Sequence, residues 1–333
     1  MIVHFDKNID KELLQDFAKN YNAFYFEDLD KFVAITSSSF KKLSHFKYDN
    51  FIREVFEFST DMQLSSKVYK PKREIVLNDG TRIGGELNTT LLMAGPCSVE
   101  SEEQIEKSAI MLKELGLKIL RAGSYKPRTS PYSFQGLGLE GLKLLDKMRM
   151  KYGLQIITEV RDSTHIDEII EYADIVQIGA KSMYDHGILK KCSKVKKPIL
   201  IKRGFGTTLQ EFVQAAEFVL SGGNDQIILC ERGIRTFETK TRFTLDLCGV
   251  AFLKEYTNLP IVLDPSHAMG YDYGVPDLSR ACVAMGIDGL LIETHPDPCN
   301  AKSDASQQLN HESFKKMYYS LIKIGKAIDR EII

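Results

Sequence analysis

The stretch that decides the fold runs from residue 118 to residue 130 and reads KILRAGSYKPRTS. It begins as a short apolar strand, breaks at an Ala-Gly pair and continues as a loop. Three cations lie within it, Arg121, Lys126 and Arg128, and no acid. Prolines in and just after the loop lack a backbone N–H and restrict its shape. A stiff basic loop at a strand end indicates a phosphate or carboxylate ligand, and a solvated basic loop is the alternative.

The same change from strand to loop recurs along the chain from residue 91 onwards. Apolar segments alternate with helical patterns, and they predict the strands Leu91–Gly95, Lys118–Ala122, Gln155–Val160, Ile175–Gly179, Pro198–Lys202, Gln226–Cys230, Pro260–Asp264 and Gly289–Glu293. Eight strands, each followed by a helix over about 240 residues, predict an α/β fold of the (β/α)8 TIM barrel type. An open doubly wound sheet is the alternative, but the G-x-G-x-x-G fingerprint is missing after the first strand.

Residues 1–70 form a separate unit in this pattern. Their predicted order is βαββαβ, with a short second helix around Lys41–Phe46, which is typical of a small ferredoxin-like α+β domain. From this pattern alone we interpret the unit as a small packing or dimerising module, with a regulatory or ligand-sensing domain as the alternative. Residues 71–333 then form the catalytic barrel. A hairpin predicted near residues 74–84 precedes the barrel and is placed to cover its bottom opening.

Composition and charge exclude several functional classes. The chain has 333 residues and a formal net charge of -1, which argues against binding to nucleic acid or to a membrane surface. It has no apolar run of transmembrane length and no signal-peptide pattern. Its six cysteines show no C-x-x-C pair, so we expect cytoplasmic thiols, with one of them a candidate ligand.

Candidate metal ligands follow three of the predicted strands. In a TIM barrel the active site lies at the C-terminal ends of the strands. Cys97, His267 and Glu293 follow strands one, seven and eight, which become neighbours when the barrel closes, and Asp304 lies in the loop beyond. This mixed set suits one divalent ion, Mn²⁺, Fe²⁺, Co²⁺ or Zn²⁺, better than Mg²⁺ or Ca²⁺. His295 is a candidate to orient a ligand. Taken singly, a buried cysteine is more often a small hydrophobe.

The ends of strands two, four, five and six carry cations. These are Arg121, Lys126, Arg128, Lys181, Lys202, Arg203, Arg232 and Arg235. One phosphate needs about two to four cations, so the set indicates two phosphates, or one phosphate and one carboxylate. Some of the cations have Glu159, Glu231 or Asp264 as alternative partners. The residues alone therefore predict a metal-dependent enzyme that joins or cleaves phosphorylated small molecules.

Several ordered motifs also give the chain a family resemblance. They are AGPCSVES from residue 94, LRAGSYKPRTS from 120, SFQG from 133, KRGF from 202, CERGIR from 230 and DPSH from 264. Over residues 72–327 the chain resembles 3-deoxy-D-arabino-heptulosonate 7-phosphate (DAHP) synthase. The branch it resembles is the one whose barrels are similar to 3-deoxy-manno-octulosonate 8-phosphate (KDO8P) synthase. The N-terminal unit resembles the ferredoxin-like regulatory domain of some members.

The resemblance implies a reaction and a role for each site residue. The reaction is the condensation of phosphoenolpyruvate with erythrose 4-phosphate and water, which releases phosphate and begins the shikimate pathway. The implied metal ligands are Cys97, His267, Glu293 and Asp304, and the implied catalytic residues are Lys126, Cys97, His267 and Glu159. The implied phosphoenolpyruvate-binding residues are Arg121, Lys126, Lys181, Lys202, Arg203 and Arg232. The implied erythrose 4-phosphate-binding residues are Pro127, Arg128, Thr129, Ser130 and Asp264.

One residue departs from the family pattern. The Gly-Ala pair that ends strand four is usually followed by Arg in this family, whereas Lys181 follows it here. Lysine keeps the charge but lacks the bidentate fork of arginine. We therefore expect retained function with weaker phosphoenolpyruvate binding.

Two alternative functions stay open on the sequence. KDO8P synthase uses arabinose 5-phosphate as acceptor, and its loop typically carries Lys-Ala-Asn-Arg-Ser-Ser where this chain has KPRTS from Lys126. The other alternative is a non-catalytic, ligand-sensing protein that keeps the barrel fold but has lost the enzymatic activity. The resemblance further implies a homo-oligomer, dimer or tetramer. From the N-terminal unit we also predict that tyrosine or phenylalanine inhibits by clamping that domain near the barrel mouth.

Overall fold

The computed structural model describes residues 1–41, 43, 47–126 and 130–333. Its N-terminal part is a four-stranded antiparallel sheet in the order β2-β3-β1-β4, as in a ferredoxin-like domain. Its elements are β1 (Ile2–Asp6), α1 (Lys11–Asn20), β2 (Phe24–Asp28), β3 (Lys31–Ile35) and β4 (Ile52–Phe56). The helix predicted around Lys41–Phe46 lies largely outside the described residues. A 3-10 turn at Asp49–Phe51 leads into β4.

An amphipathic helix packs on the N-terminal sheet and forms its hydrophobic core together with it. The side chain of Asp10 caps α1 by accepting a hydrogen bond from the backbone N–H of Glu12, which fixes where the helix begins. Leu14 and Phe17 are then buried on one face of the helix. The ring of Phe17 packs edge-on against Phe5 of β1, with ring centroids 4.9 Å apart. The apolar spacing in the sequence thus directs this helix onto the sheet.

A hairpin closes the bottom of the barrel that follows. Its strands are β5 (Glu74–Val76) and β6 (Arg82–Gly84), which pair antiparallel around the Asp79-Gly80 turn. Ile75, Leu77 and Ile83 are buried in one cluster with the inward side chains of the barrel strands. The hairpin therefore fills the lower opening of the barrel with apolar side chains.

The barrel consists of eight parallel strands in the described chain. They are β7 (Thr89–Gly95), β8 (Ile119–Arg121), β9 (Gln155–Val160), β10 (Ile175–Ile178), β11 (Ile199–Lys202), β12 (Ile227–Glu231), β13 (Ile261–Leu263) and β14 (Gly289–His295). Each pairs with the next, and β14 pairs with β7, which sets Glu293 beside Gly95. This closing pair confirms the TIM barrel and excludes the doubly wound sheet. Two short strands flank the barrel, β15 (Leu309–Asn310) and β16 (Glu331–Ile332).

Helices surround the barrel and follow its strands. They are α2 (Glu102–Glu114), α3 (Leu139–Tyr152), α4 (Ile166–Tyr172), α5 (His186–Cys192), α6 (Leu209–Leu220), α7 (Leu247–Tyr256), α8 (Pro265–Met269), α9 (Val275–Ala284) and α10 (His311–Ala327). The sequence analysis did not predict α8, which carries His267. Asp264 caps this helix and Pro265 occupies its first turn, two local signals for a helix start. Within the described residues, none of the helices has the length and apolar character needed to cross a membrane.

A buried carboxylate joins the N-terminal part to the barrel wall. Glu217 of α6 accepts hydrogen bonds from the backbone N–H groups of Gln63, Leu64 and Ser65 at 2.7 to 3.1 Å, and from the Ser65 hydroxyl at 2.6 Å. Asn258, which precedes β13, donates to the carbonyl oxygens of Leu64 and Ser66. The N-terminal part is therefore docked on α6 and on loops at the lower end of the barrel.

Candidate active site

The C-terminal ends of the barrel strands enclose a cavity of about 140 Å³. Its lining is dominated by charged side chains and consists of Arg121, Lys126, Glu159, Ala180, Lys181, Lys202, Phe205, Arg232, Arg242, Phe243, His267 and Asp304. These residues come from loops that are far apart in sequence, and barrel closure brings them together. The cavity lies where a TIM barrel carries its active site.

The loop after β7 brings Cys97 to this cavity. Gly95 ends the strand with a φ of +149°, and a Cβ at this position would lie 2.3 Å from the carbonyl oxygen of Arg121. Only glycine fits there, because the chain after β7 passes directly along the end of β8. The backbone N–H of Cys97 donates to the side-chain oxygen of Gln308 at 2.9 Å, which fixes the position of the thiol.

Three potential metal ligands converge at one side of the cavity. The ligand atoms of Cys97, Glu293 and Asp304 all lie within 4.8 Å of one another. His267, the fourth predicted ligand, lies outside this group of three in the described part of the chain, although its Nε2 atom is 3.6 Å from Oε1 of Glu293. A buried thiol between two carboxylates is a donor set that fits a divalent first-row ion, because the ion compensates the charges that burial would otherwise destabilise.

The protonation of these groups follows from burial and from their neighbours. Burial, with the nearby Glu293 carboxylate, raises the pKa of the Cys97 thiol to about 12. Burial also raises the pKa of Asp304, but the imidazole of His267 and a hydrogen bond from Cys97 outweigh it and hold that pKa below its usual range. In the absence of a metal ion the thiol is therefore neutral and the carboxylate is charged.

A buried carboxylate behind the cavity lies against the imidazole of His267 and accepts a hydrogen bond from Lys202. Asp264 is fully buried, and one of its oxygens lies 2.8 Å from Nδ1 of His267 and 2.7 Å from Nζ of Lys202. Burial raises the pKa of Asp264, but His267 and Lys202 hold it well below its usual value. Since the carboxylate is anionic and faces Nδ1, it directs Nε2 of His267 towards the ligand group.

Arg121 and Lys126 connect the basic loop to the ligand group. Arg121 donates to the Glu293 carboxylate at 2.6 Å and to the carbonyl oxygen of Pro96 at 3.0 Å. The Nζ atom of Lys126 lies 3.0 Å from Sγ of Cys97. Burial lowers the pKa of Lys126, but Cys97, Glu159 and Glu293 outweigh this, so its pKa is raised and its amine is charged.

Among the described cations that line the cavity, Arg232 has the most buried donor atoms without a hydrogen-bond partner. Its Nε and one terminal nitrogen are buried and have no hydrogen-bond partner among the described residues. Its guanidinium lies over the ring of Phe243, 4.3 Å from the centroid, and that ring stacks on Phe205 at 5.5 Å. A buried guanidinium with free donors costs stability unless a ligand satisfies it. The geometry therefore fits an anion that binds in the cavity.

Glu159 and Lys181 lie on the far side of the cavity from the ligand group. The carboxylate of Glu159 accepts a hydrogen bond from the side-chain amide of Gln177. Lys181 sits in a 3-10 turn, Ala180–Ser182, directly after β10, and its side chain lines the cavity. The predicted positions of both residues at strand ends are therefore correct.

Three other predicted residues are not part of the cavity lining. Arg203 does not line the cavity: its guanidinium donates to Glu231 at 2.9 Å and to Asp246 at 2.8 Å. Arg235 lies over the ring of Phe205, 4.8 Å from its centroid. The Nε2 atom of His295 lies 3.5 Å from a carboxylate oxygen of Glu100, and both residues line a different pocket. These three side chains are therefore part of the framework around the site.

The loop after β8 is described only at its ends. Pro127, Arg128 and Thr129 lie outside the described residues. Lys126 precedes them in the cavity, and Ser130 follows them, where it accepts a hydrogen bond from the side-chain amide of Gln135. The predictions for Pro127, Arg128 and Thr129 stay predictions.

Sequence reasoning missed two polar residues at the site. Arg242 lines the cavity and donates to Asp304 at 3.3 Å and to the side-chain oxygen of Gln307 at 2.7 Å. The amide of Gln307 in turn donates to Glu293 at 2.6 Å. Neither residue stands directly at a strand end, so the rule that located the others did not select them. The one hint in the sequence was that Gln307 follows the predicted ligand Asp304 by three residues, which places it near the ligand group.

Comparison with known proteins agrees with this geometry. A model of the DAHP synthetase I family matches residues 64–330. The chain belongs to this family. The predicted resemblance is therefore confirmed.

Phospho-2-dehydro-3-deoxyheptonate aldolase of Thermotoga maritima is 44% identical over 266 residues, which cover 80% of this chain and 78% of the relative. The crystal structure of the Thermotoga maritima DAHP synthase matches with a TM-score of 0.80 at 37% identity, covering 100% of this chain and 99% of that one. Its truncated form matches with a TM-score of 0.76 at 40% identity over 81% of this chain and 98% of that one.

A second group of relatives is more distant. The 2-dehydro-3-deoxyphosphooctonate aldolase of Methylobacillus flagellatus is 33% identical over 260 residues, which cover 72% of this chain and 92% of the relative. Similarity to both groups is consistent with the branch of DAHP synthases that resembles KDO8P synthase. The higher identity to the Thermotoga enzyme favours the heptulosonate reaction.

Proposed function

We propose that this chain is a 3-deoxy-7-phosphoheptulonate synthase that condenses phosphoenolpyruvate with erythrose 4-phosphate and water. One observation carries the proposal: a group of one thiol and two carboxylates, with the imidazole of His267 beside Glu293, borders a cavity lined with cations that come from four strand ends. Membership in the DAHP synthetase I family supports the same reaction. The products are 3-deoxy-D-arabino-heptulosonate 7-phosphate and phosphate.

The cations of the cavity hold phosphoenolpyruvate in this proposal. Arg232 has free buried donors, and Lys126, Lys181 and Lys202 line the same cavity. Arg121 is engaged by Glu293 but keeps a buried Nε without a described partner. Together these residues can neutralise a phosphate and a carboxylate. We leave Arg203 out of the set because its guanidinium is already paired with two carboxylates.

Cys97, His267, Glu293 and Asp304 hold one divalent ion in this proposal. When bound, the ion supplies Lewis-acid polarisation of the aldehyde carbonyl of the acceptor. The identity of the ion, Mn²⁺, Fe²⁺, Co²⁺ or Zn²⁺, follows from metal availability as much as from the ligand set. The carboxylate of Asp264 keeps His267 in a fixed orientation, as the contact at Nδ1 indicates.

The chemistry then depends on bond formation between the two substrates. The enol carbon of phosphoenolpyruvate attacks the aldehyde carbon, water adds to the carbon that bears the phosphate, and the C–O bond to phosphate breaks. Lys126 is charged and reaches the ligand group, so it is positioned to donate a proton to the new alkoxide. Glu159 lines the cavity opposite, and we assign it to orienting the attacking water.

DAHP synthase and KDO8P synthase share this kind of site and differ in the aldose phosphate that they use as acceptor. We assign erythrose 4-phosphate to the loop Pro127–Ser130, with Asp264 supporting the site from behind. The test is to incubate the purified protein with phosphoenolpyruvate and either erythrose 4-phosphate or arabinose 5-phosphate and to measure phosphate release. Turnover with erythrose 4-phosphate is expected, and turnover with arabinose 5-phosphate alone would show a KDO8P synthase.

Regulation and assembly form a second part of the proposal. We propose a cytoplasmic homo-oligomer, dimer or tetramer, in which residues 1–70 form a regulatory domain, residues 71–333 form the catalytic barrel and tyrosine or phenylalanine inhibits. The N-terminal part is docked on α6, so clamping near the mouth requires that it moves or that another copy supplies it. Inhibition is measured with each aromatic amino acid, before and after deletion of residues 1–70. Inhibition that survives the deletion would contradict this assignment.

A further inference from the structure

We propose that Gln307 is a positioning residue for the metal ligand Glu293 and that Arg242 holds Gln307 in place. The inference rests on the metal-dependent function proposed above, and it concerns two residues that do not belong to the predicted ligand set. It follows from hydrogen bonds that lead from Arg242 directly to Asp304 and, through Gln307, to Glu293.

The contacts fix the orientation of the Gln307 amide. Its oxygen accepts a hydrogen bond from Arg242 at 2.7 Å. Because a guanidinium only donates, the amide nitrogen must face the other way, and it donates to Oε2 of Glu293 at 2.6 Å. Gln307 is 1% exposed, so water does not compete for these bonds. The side chain therefore has one stable orientation.

This orientation sets which partner each oxygen of Glu293 faces. Oε2 is held by Gln307, while Oε1 accepts a hydrogen bond from Arg121 at 2.6 Å and lies 3.6 Å from Nε2 of His267. Without the bond from Gln307, Arg121 alone would hold the carboxylate, which could then turn and change the ligand geometry. Hydrogen bonds to ligating carboxylates typically set metal affinity by about 10- to 100-fold.

Arg242 also contacts a second predicted metal ligand, Asp304. The same terminal nitrogen that bonds Gln307 lies 3.3 Å from Oδ1 of Asp304. Asp304 has a left-handed backbone conformation, with φ 47° and ψ 41°, which non-glycine residues adopt at a cost. The contacts with Arg242 therefore hold Asp304 and, through Gln307, Glu293 at one fixed separation.

The decisive experiment measures metal binding without turnover. Protein freed of metal with a chelator is titrated with Co²⁺, and the absorption band that a thiolate produces on cobalt is followed to obtain Kd. Gln307→Met removes the amide at similar size, and Gln307→Asn shortens the side chain by one methylene. We expect Kd to rise by about 10- to 100-fold in both variants, whereas KM for phosphoenolpyruvate at saturating Co²⁺ stays within about threefold, because Gln307 does not line the cavity.

A matched control separates positioning from general loss of packing. Gln155 is also a buried glutamine, at the start of β9 and thus at the opposite end of the barrel. Gln155→Met should leave Kd for Co²⁺ unchanged. An equal loss of affinity in Gln155→Met would overturn the inference, since it would show a general effect of altered packing.

A double-variant comparison tests the line of contacts itself. If Arg242 acts through Gln307, the loss of affinity in Arg242→Met combined with Gln307→Met is smaller than the product of the two single losses. Fully multiplicative losses, or a Kd within twofold of the parent in both Gln307 variants, would overturn the inference and leave the proposed function intact. Absence of the thiolate band in the unaltered protein would instead overturn the metal site, and this inference with it.

Discussion

Lys126 and Cys97 are in direct contact, with Nζ of the lysine 3.0 Å from the sulfur and 3.2 Å from the carbonyl oxygen of the cysteine. The basic loop after β8 thus meets the ligand group after β7. A phosphoenolpyruvate bound by Lys126 would lie beside an ion bound by Cys97. Two functions that the sequence places in separate loops therefore share one small volume.

Removal of the metal ion tests the ligand group directly. We expect a chelator to reduce activity by at least about 100-fold, because Lewis-acid polarisation of the aldehyde is worth several kcal/mol. Added Mn²⁺ should restore the activity of the unaltered protein but not that of Cys97→Ala. Cys248→Ala is the control, since Cys248 is an exposed thiol on α7. Full activity in the chelated protein would argue for a metal-independent mechanism.

A comparison of two arginines tests which cations bind the donor substrate. In Arg232→Lys we expect KM for phosphoenolpyruvate to rise by about 10- to 100-fold, because charge-assisted hydrogen bonds are worth about 1.5–3 kcal/mol each. Arg203→Lys should instead lower thermal stability and leave this KM unchanged, since Arg203 bonds Glu231 and Asp246. Steady-state kinetics and thermal unfolding distinguish the two. A similar rise of KM in both variants would return Arg203 to the binding set.

The unusual lysine after β10 has its own prediction. Arginine at this position would restore the bidentate fork that the family usually has. We therefore expect Lys181→Arg to leave KM for phosphoenolpyruvate equal or lower, as measured by initial rates at saturating erythrose 4-phosphate. If KM clearly rises instead, Lys181 does not contact the donor substrate.

The docking of the N-terminal part depends on Glu217. Glu217→Gln replaces one accepting oxygen by an NH₂ group and leaves buried N–H donors of residues 63–65 without a partner. Each orphaned donor costs about 1–3 kcal/mol, so we expect amide hydrogen exchange at Gln63, Leu64 and Ser65 to become about 5- to 150-fold faster. Gln210→Ala, on the exposed side of α6, is the control. Unchanged exchange in Glu217→Gln would show that apolar packing alone holds the junction.

Much of the fold was predictable because its determinants are local. Apolar runs separated by amphipathic segments specify strand–helix units, and eight such units in succession leave few arrangements other than a barrel. The strand-end positions of Cys97, Lys126, Lys181 and Glu293 follow from this regularity. The short helix α8 was missed, although Asp264 and Pro265 form a recognisable helix start.

The sequence analysis offered Glu231 and Asp264 as alternative partners of the cations, and both are paired in the structure. Which cation each of them binds was not predictable, since that depends on distances between loops. The sequence by itself determined which residue types stand at the strand ends and therefore that the site is cationic on one side and metal-ligating on the other. Only the tertiary structure decided that Arg203 is occupied by Glu231 and Asp246 while Arg232 keeps free donors. It also decided that Gln307 bonds Glu293. The physical reason is that hydrogen bonds form over about 3 Å, and the relative positions of the loops at that scale are set by barrel closure and packing.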